Sequence, residues 1–395
     1  MSRGARFPRQ VWLLGWASLL TDAGTEMIYP LLPAFLAGVL GAGAVSLGII
    51  EGVAEGVNSA LKIVSGWFAD RPDRRRALVI GGYSLSSAAR PLVALATSWP
   101  QVLAVRAIDR TGKGIRGAPR DAMLARLADD QSRGRVFGFH RAMDHAGAIV
   151  GPIVATLFLL AWPGQLRTLF ALTIVPGSLA VAVLYFVRDG VTKEGATATP
   201  DPHGAPPSAG ALPRGLWSVL TIILVFSLGS SADAFLLLRL TDVLGSATYV
   251  PLLWSAHHVV KASLSTWGGG LSDRFGRRPV IVAGWTVYAA VYLGFATATS
   301  AGTLIPWFLF YGSYFALAEG AEKALIADLT PAGRHGTAFG LYNAALGIGA
   351  LLASVGFGLV YERFGAPPAF LMGAGFAGVA SLLLLVVTPG RPRSA

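Results

Sequence analysis

Asp22 and Glu26 stand four residues apart inside a long apolar stretch, which puts both carboxylates on one face of a helix. Out of water the charged form of a carboxylate is disfavoured, and that is the condition a proton carrier needs. The plainer reading is a fixed ion pair with basic neighbours. Glu51, Glu55, Asn58 and Lys62 follow at helical spacing, as one polar stripe facing a cavity or a partner helix. The densest run is RAIDRTGKGIRGAPRDA, Arg106 to Ala122. Arg106, Arg110, Lys113 and Arg116 suit an anionic substrate, because guanidinium groups match carboxylate and phosphate geometry. Alternatively these cations neutralise Glu51, Glu55 and Asp144 across helix interfaces. Asp109 is spaced to pair with Lys113, and Arg116 and Arg120 share a face.

Further along, His140 and Asp144 lie one turn apart, as do Arg141 and His145. Histidine titrates near neutrality and could relay protons, but a satisfied histidine–carboxylate contact is the preferred reading of the spacing. The second half of the chain is poorer in such groups. Asp233 falls within an apolar run, and His257 shares a face with Lys261. His257 and His258 are adjacent and point to different sides, which argues against a metal site. Arg90-Pro91 reads as a helix break with a neutralised arginine. Trp254, Trp267, Trp285 and Tyr288 suit an aromatic pocket, although most aromatics in such a chain are expected at lipid-facing surfaces.

The elements that must position these groups are membrane helices. Hydrophobic residues make up 53% of the 395 and charged residues 13%, and the mean hydropathy is +0.58. A soluble domain carries about 25% charged residues. On a ruler of about 20 apolar residues per crossing, the chain divides into twelve helices, at 11–38, 44–69, 76–97, 100–123, 135–161, 166–187, 215–241, 246–271, 278–298, 302–328, 335–361 and 366–388. Asp22 then lies roughly 16 Å along the first helix, near mid-membrane. Pro30 and Pro33 should kink that helix in its outer half. A net charge of +11 would suit nucleic acid, but outside the helices the basic residues sit in loops between long apolar runs, mostly on one side, so none is expected as a partner. The excess of Lys and Arg places both termini in the cytoplasm, in a multi-pass protein of the inner membrane. The absence of cysteine excludes disulfides and thiolate metal sites.

Residues 188–214 are rich in Pro, Gly, Ala and Thr without helical period. They read as a cytoplasmic linker between an N-terminal bundle, 1–187, and a C-terminal bundle, 215–395. The halves are duplicates. GWFADRPDRRR, Gly66 to Arg76, recurs as GGLSDRFGRR, Gly269 to Arg278; RVFGFHRA recurs as TAFGLYNA at nearly the same offset. A repeat of about 200 apolar residues is the signature of a transporter built from two halves.

The repeated G-x-x-x-D-R-x-G-R-[RK] pattern resembles the motif of the major facilitator superfamily, along essentially the whole chain. In the first copy Asp73 stands where the loop glycine usually is. The resemblance implies an all-α membrane protein, twelve transmembrane helices in two pseudo-symmetric six-helix bundles around a central cavity, usually a monomer. It implies a cytoplasmic gate in which Gly66, Asp70, Arg71 and Arg74 work with Asp121, and a second copy using Gly269, Asp273, Arg274 and Arg277, with Glu319, Glu322 and Lys323 at the matching end of helix 10. Arg106 with Gly112 resembles the helix 4 motif whose arginine is implicated in proton coupling, with Asp109 and Arg110 as departures. Gly147-x-x-x-Gly151-Pro152 resembles the helix 5 motif of antiporters, with Ala155-Thr156 where the fuller motif has two glycines; close helix packing also explains it.

A secondary transporter of a small solute is therefore expected, working by alternating access. Proton-coupled antiport is the leading form, and uptake or exchange of an anionic solute through helix 4 is the alternative. The expected cavity set is Asp22, Glu26, Glu51, Glu55, Arg106, Asp109, Arg110, Lys113, Arg141, Asp144, Asp233 and His257. No metal or organic cofactor is implied, and a proton gradient is the expected energy source. A membrane receptor or an embedded enzyme is the remote alternative. No Walker loop, HExxH or nucleophile elbow occurs to support chemistry.

Overall fold

The computed structural model describes residues 7–69, 75–127, 133–187, 212–331 and 334–386. Among these the chain makes twelve helical spans. The first, α1, runs through Arg9–Glu26, turns at Tyr29–Leu31 and continues as Leu32–Gly38. Then come α2 (Ala44–Ala69), α3 (Arg75–Leu95), α4 (Trp99–Leu127), α5 (Arg133–Ala161) and α6 (Leu166–Tyr185). The second six are α7 (Arg214–Leu244), α8 (Val250–Phe275), α9 (Arg277–Thr297), α10 (Ala301–Asp328), α11 (His335–Phe364) and α12 (Ala366–Val386). The all-helical, twelve-span expectation is met.

By length and composition, eight of these spans could cross a membrane. The other four, α1, α2, α4 and α8, are rich in the polar side chains that lower hydropathy. Large apolar side chains stay exposed along the outer surfaces, among them Leu157, Leu179, Leu352 and Leu382. In water this would be a liability; in a bilayer it is the lipid contact.

Local chemistry sets the breaks. Pro30 and Pro33 lack the N–H that a continuous α-helix needs, and α1 gives way to a 3-10 turn there. Pro91 likewise converts the end of α3 to 3-10 geometry from Arg90 to Leu95. In α7 the helix stops at Gly229 and restarts at Ala234, so Asp233 stands just before the second segment rather than inside a continuous helix. Gly276 and Gly365 are one-residue connections with φ of 90° and 86°, a conformation open to glycine. Gly276 fills the loop position that Asp73 takes in the first copy.

Packing repeats between halves. In the first half α1 packs on α5 and α6, α4 on α2 and α3, and α3 on α6. In the second half α7 packs on α11 and α12, α10 on α8 and α9, and α9 on α12. The halves meet along α2–α11 and α5–α8, two contacts that the repeat exchanges. Small residues permit the approach: Gly48 and Gly52 abut Ser354 and Leu351, while Gly358 abuts Ala44. The described chain ends, near Phe7 and Val386, lie on one side of the twelve spans, the terminal face.

Candidate functional site

Between the halves lies a set of buried charges, held mostly by α1, α2 and α4. Arg106 meets Glu51 in a forked ion pair: Nη2 donates at 2.6 and 2.9 Å and Nε at 3.1 Å. Both side chains are 5–6% exposed. The same guanidinium lies over the Tyr29 ring at 5.6 Å, and its Nη1 is 4.0 Å from Asp109.

Asp109 takes its close partner from α3, not from its own helix. Arg90 Nη2 donates to it at 3.1 Å, and Arg90 Nη1 donates to the Thr21 carbonyl at 3.3 Å. The expected Asp109–Lys113 pair is thus replaced. A buried guanidinium with no counterion is strongly unfavourable, and pairing with Asp109 relieves Arg90, while the fork also reaches α1. Arg116 donates to Ser86 at 3.0 Å and lies 4.2 Å from the Tyr83 ring centre. Arg120 donates twice to Asp121 at 3.0 Å.

The remaining carboxylates have softer partners. Glu26 accepts a bond from Trp254 Nε1 at 2.8 Å, which joins α1 to α8 and so one half to the other. Asp22 is half-buried, with Asp144, Lys113, Arg116 and Arg120 as its charged neighbours. Asp144 accepts from Ser18 and lies 3.5 Å from His140 Nδ1. Glu55 accepts from Asn58 at 3.2 Å and Ser59 at 3.4 Å. Arg110 keeps a buried Nε without a partner, facing Asp109, Glu51 and Glu55. Arg141 is exposed. Lys62 lies outside the described side chains.

In the second half the site is aromatic. Asp233, exposed by the break in α7, accepts from Tyr311 at 2.8 Å. His257 is buried between Trp254 and Tyr311, with Nδ1 3.3 Å from the Phe308 carbonyl. Lys261 sits 3.8 Å above the Phe315 ring. Trp254, Trp285 and Tyr288 are fully packed rather than lipid-facing; Trp267 lies outside the described side chains. Sequence reasoning assigned Glu322 to the gate region with Glu319 and Lys323. It is instead buried, accepting from Trp285 Nε1 at 2.8 Å and Tyr342 O–H at 3.0 Å. Its signal was available: Lys323 is four residues from Glu319 and shares its face, but is adjacent to Glu322, which a helix turns about 100° away.

Asp70, Arg71 and Arg74 lie outside the described residues, as do the side chains at Gly66, Gly269 and Asp273. Arg274 is exposed. Arg277 donates to Asp328 at 3.3 Å and to Ser272 at 2.8 Å, so its acid comes from the last residue of α10. The helix 5 glycines have a packing role: a Cβ at Gly147 would overlap Leu19 and one at Gly151 would overlap Ala23. They seat α1, with its two acids, against α5. Pro152 sits inside α5, where its carbonyl accepts from Thr156 at 3.0 Å.

The family model described as Major Facilitator Superfamily matches residues 14–256 and 219–395. The chain is 33% identical over 387 residues to an uncharacterized MFS-type transporter of Methanocaldococcus jannaschii, covering 96% of this chain and 95% of that one. It is 22% identical to the multidrug resistance protein MdtH of Yersinia pestis, covering 89% and 86%. The crystal structure of a mutant of the nucleoside transporter NupG superposes with a TM-score of 0.79 at 12% identity, covering 95% and 99%.

Proposed function

The chain belongs to the major facilitator superfamily, and from that premise we propose that it exports a small solute in exchange for protons. In this reading it is a monomer in the inner membrane with its terminal face in the cytoplasm. The bundles 1–187 and 215–395 rock about the buried charges, tethered by 188–214. The Glu26–Trp254 bond carries the proposal. It ties a carboxylate to the opposite half through a donor that has no charge of its own.

Ionised Glu26 accepts a charge-assisted bond from the indole, stronger than a neutral one. A proton on Glu26 weakens that bond and loosens α1 from α8. Solute that binds at the same carboxylate competes with the proton, which is the requirement for exchange. Asp22, one turn nearer the terminal face, provides the next carboxylate on the same helix face. Glu51 and Asp109 do not move protons in this scheme: each is held by arginine, which cannot release its proton in proteins. The antiporter-like helix 5 motif and the relative named for multidrug resistance favour export over uptake.

The test uses everted vesicles, acid inside, with a pH-sensitive dye and a panel of lipophilic cations, organic anions and phosphorylated sugars. One class is expected to dissipate the gradient, and Glu26→Gln to abolish the response. A response that survives both Glu26→Gln and Asp22→Asn overturns the assignment. Arg110 favours a second reading, uptake of an anionic solute, because its buried Nε has no partner. Uptake that depends on Arg110, with no efflux signal, would select it.

A further inference from the structure

Glu322 lies in the second half, on α10, away from the acids of α1. It is 5% exposed, and its two oxygens are engaged by two different neutral groups. Trp285 Nε1 on α9 donates to Oε1 at 2.8 Å, and the Tyr342 hydroxyl on α11 donates to Oε2 at 3.0 Å. Among the described residues, the charged and titratable groups facing it are Glu319 and Lys323 on its own helix, Tyr314 about two turns earlier on α10, and Tyr342. Lys323 is committed to Glu319, with Nζ 2.9 Å from Oε1. From α7, Phe226 stacks on the Trp285 ring at 4.5 Å and closes the apolar side.

We propose that Glu322 is a second proton-binding site, one that gains and loses its proton without rearranging the residues around it. The argument lies in the donor inventory. Indole N–H only donates, so it suits Oε1 whether the acid is charged or neutral. A phenol both donates and accepts. When Glu322 is ionised, Tyr342 donates to it; when Glu322 is protonated, its O–H donates back to the phenol oxygen. Both states keep two hydrogen bonds at the acid; the direction of one reverses, and the phenol hydrogen then turns away from Glu322.

The arginine-held acids lack this property. Protonating Glu51 would leave Arg106 facing a neutral group it cannot accept from, in a buried setting where that is costly. The Glu319–Lys323 pair, with side chains 47% and 46% exposed, marks where water reaches the same turn of α10. A proton therefore has a wet rim within one turn of Glu322.

The proton site itself stands without any solute, and only its consequence for transport rests on the antiport reading. The experiment uses the purified full chain in nanodiscs and titrates pH with two readouts. One is infrared difference absorption in the carboxylic C=O region. The other is tryptophan emission, which senses the carboxylate at Trp285. The ten tryptophans are resolved by subtraction with Trp285→Phe.

A pH-dependent C=O band and a matching change in Trp285 emission are expected. Glu322→Gln, which keeps an acceptor for Trp285 and a donor for Tyr342, should remove both, while Asp22→Asn and Glu26→Gln retain them. Tyr342→Phe, a second route should Glu322→Gln misfold, should move the band without abolishing it. If Glu322→Gln leaves every pH-dependent band and the Trp285 emission unchanged, the proposal fails. The vesicle dye assay judges the antiport reading separately: a silent panel with the Glu322 band present sinks antiport and leaves the proton site standing.

Discussion

The two halves share one packing scheme and fill it with opposite chemistry. Shifting the first half by 202 residues aligns Gly82 with Gly284 and Arg116 with Ala318. A Cβ at Gly82 would strike the backbone nitrogen of Arg116, and one at Gly284 that of Ala318, so the register is a matter of contact. On that register Arg90, Arg106 and Asp109 correspond to Tyr292, Phe308 and Tyr311. Arg120 beside Tyr83 corresponds to Glu322 beside Trp285, and His140 to Tyr342. Where the first half sets cation against anion, the second stacks rings: Tyr288 on Tyr292 at 4.2 Å, Tyr311 on Tyr314 at 5.7 Å.

The difference separates two ways of holding a polar atom in a membrane. Ion pairs such as Glu51–Arg106 fix charge in place, because neither member can leave without stranding the other. The aromatic half holds two of its acids, Asp233 and Glu322, on phenol and indole donors, which carry no countercharge to strand. The first half thus makes a rigid charged wall, and in the proposed scheme the acids that titrate lie outside it.

The largest effect should come from breaking the wall. Arg106→Met leaves Glu51 buried without its cation, and a loss of about 3–5 kcal/mol is expected in unfolding of the detergent-solubilised protein. Adding Glu51→Leu should return most of it, since an apolar pair of similar volume is often neutral. No recovery in the double variant would mean that the pair is needed for more than its own neutralisation.

Next in size are the contacts where the halves agree. Gly147 abuts Leu19 and Ala23 of α1, and its counterpart Gly349 abuts Ser227 of α7. Leucine at either position should cost about 1–3 kcal/mol by overpacking, with like losses in both halves. If Gly147→Leu alone abolishes proton-driven exchange, α5 does more than seat α1. Smaller still, Tyr311→Phe keeps the ring stack and removes the donor to Asp233. About 1 kcal/mol is expected, because Asp233 is only partly buried and water can replace the phenol.

The helices were legible because about 20 apolar residues and a few prolines fix them locally. Pro30, Pro33 and Pro91 announced their breaks. The break at Gly229–Asp233 did not, since Gly-Ser-Ser lacks the signal of a proline. Partners were harder to read. Spacing offered Asp109 its own-helix Lys113, and α3 supplied Arg90 instead, because a tertiary neighbour carries no local signature. The burial of Glu322 was hidden for a related reason: it depends on which side of α10 faces α9 and α11, and the aromatic residues that decide it lie 37 residues before and 20 after.

The smallest effect is expected at the terminal face, at Arg277 and Asp328. The pair looks like a lock, tying the start of α9 to the end of α10, yet its side chains are 28% and 56% exposed. Solvent and salt screen such a pair, so Arg277→Gln should cost no more than about 1 kcal/mol, and less in high salt. Its value would be kinetic: a weak contact can be broken and remade in each cycle at little cost, as the Glu51–Arg106 wall cannot. Unfolding at low and high salt, with exchange rates on the same preparation, checks this. A large, salt-independent loss of stability would place Arg277 with the fixed charges of the first half and blur the contrast between the halves.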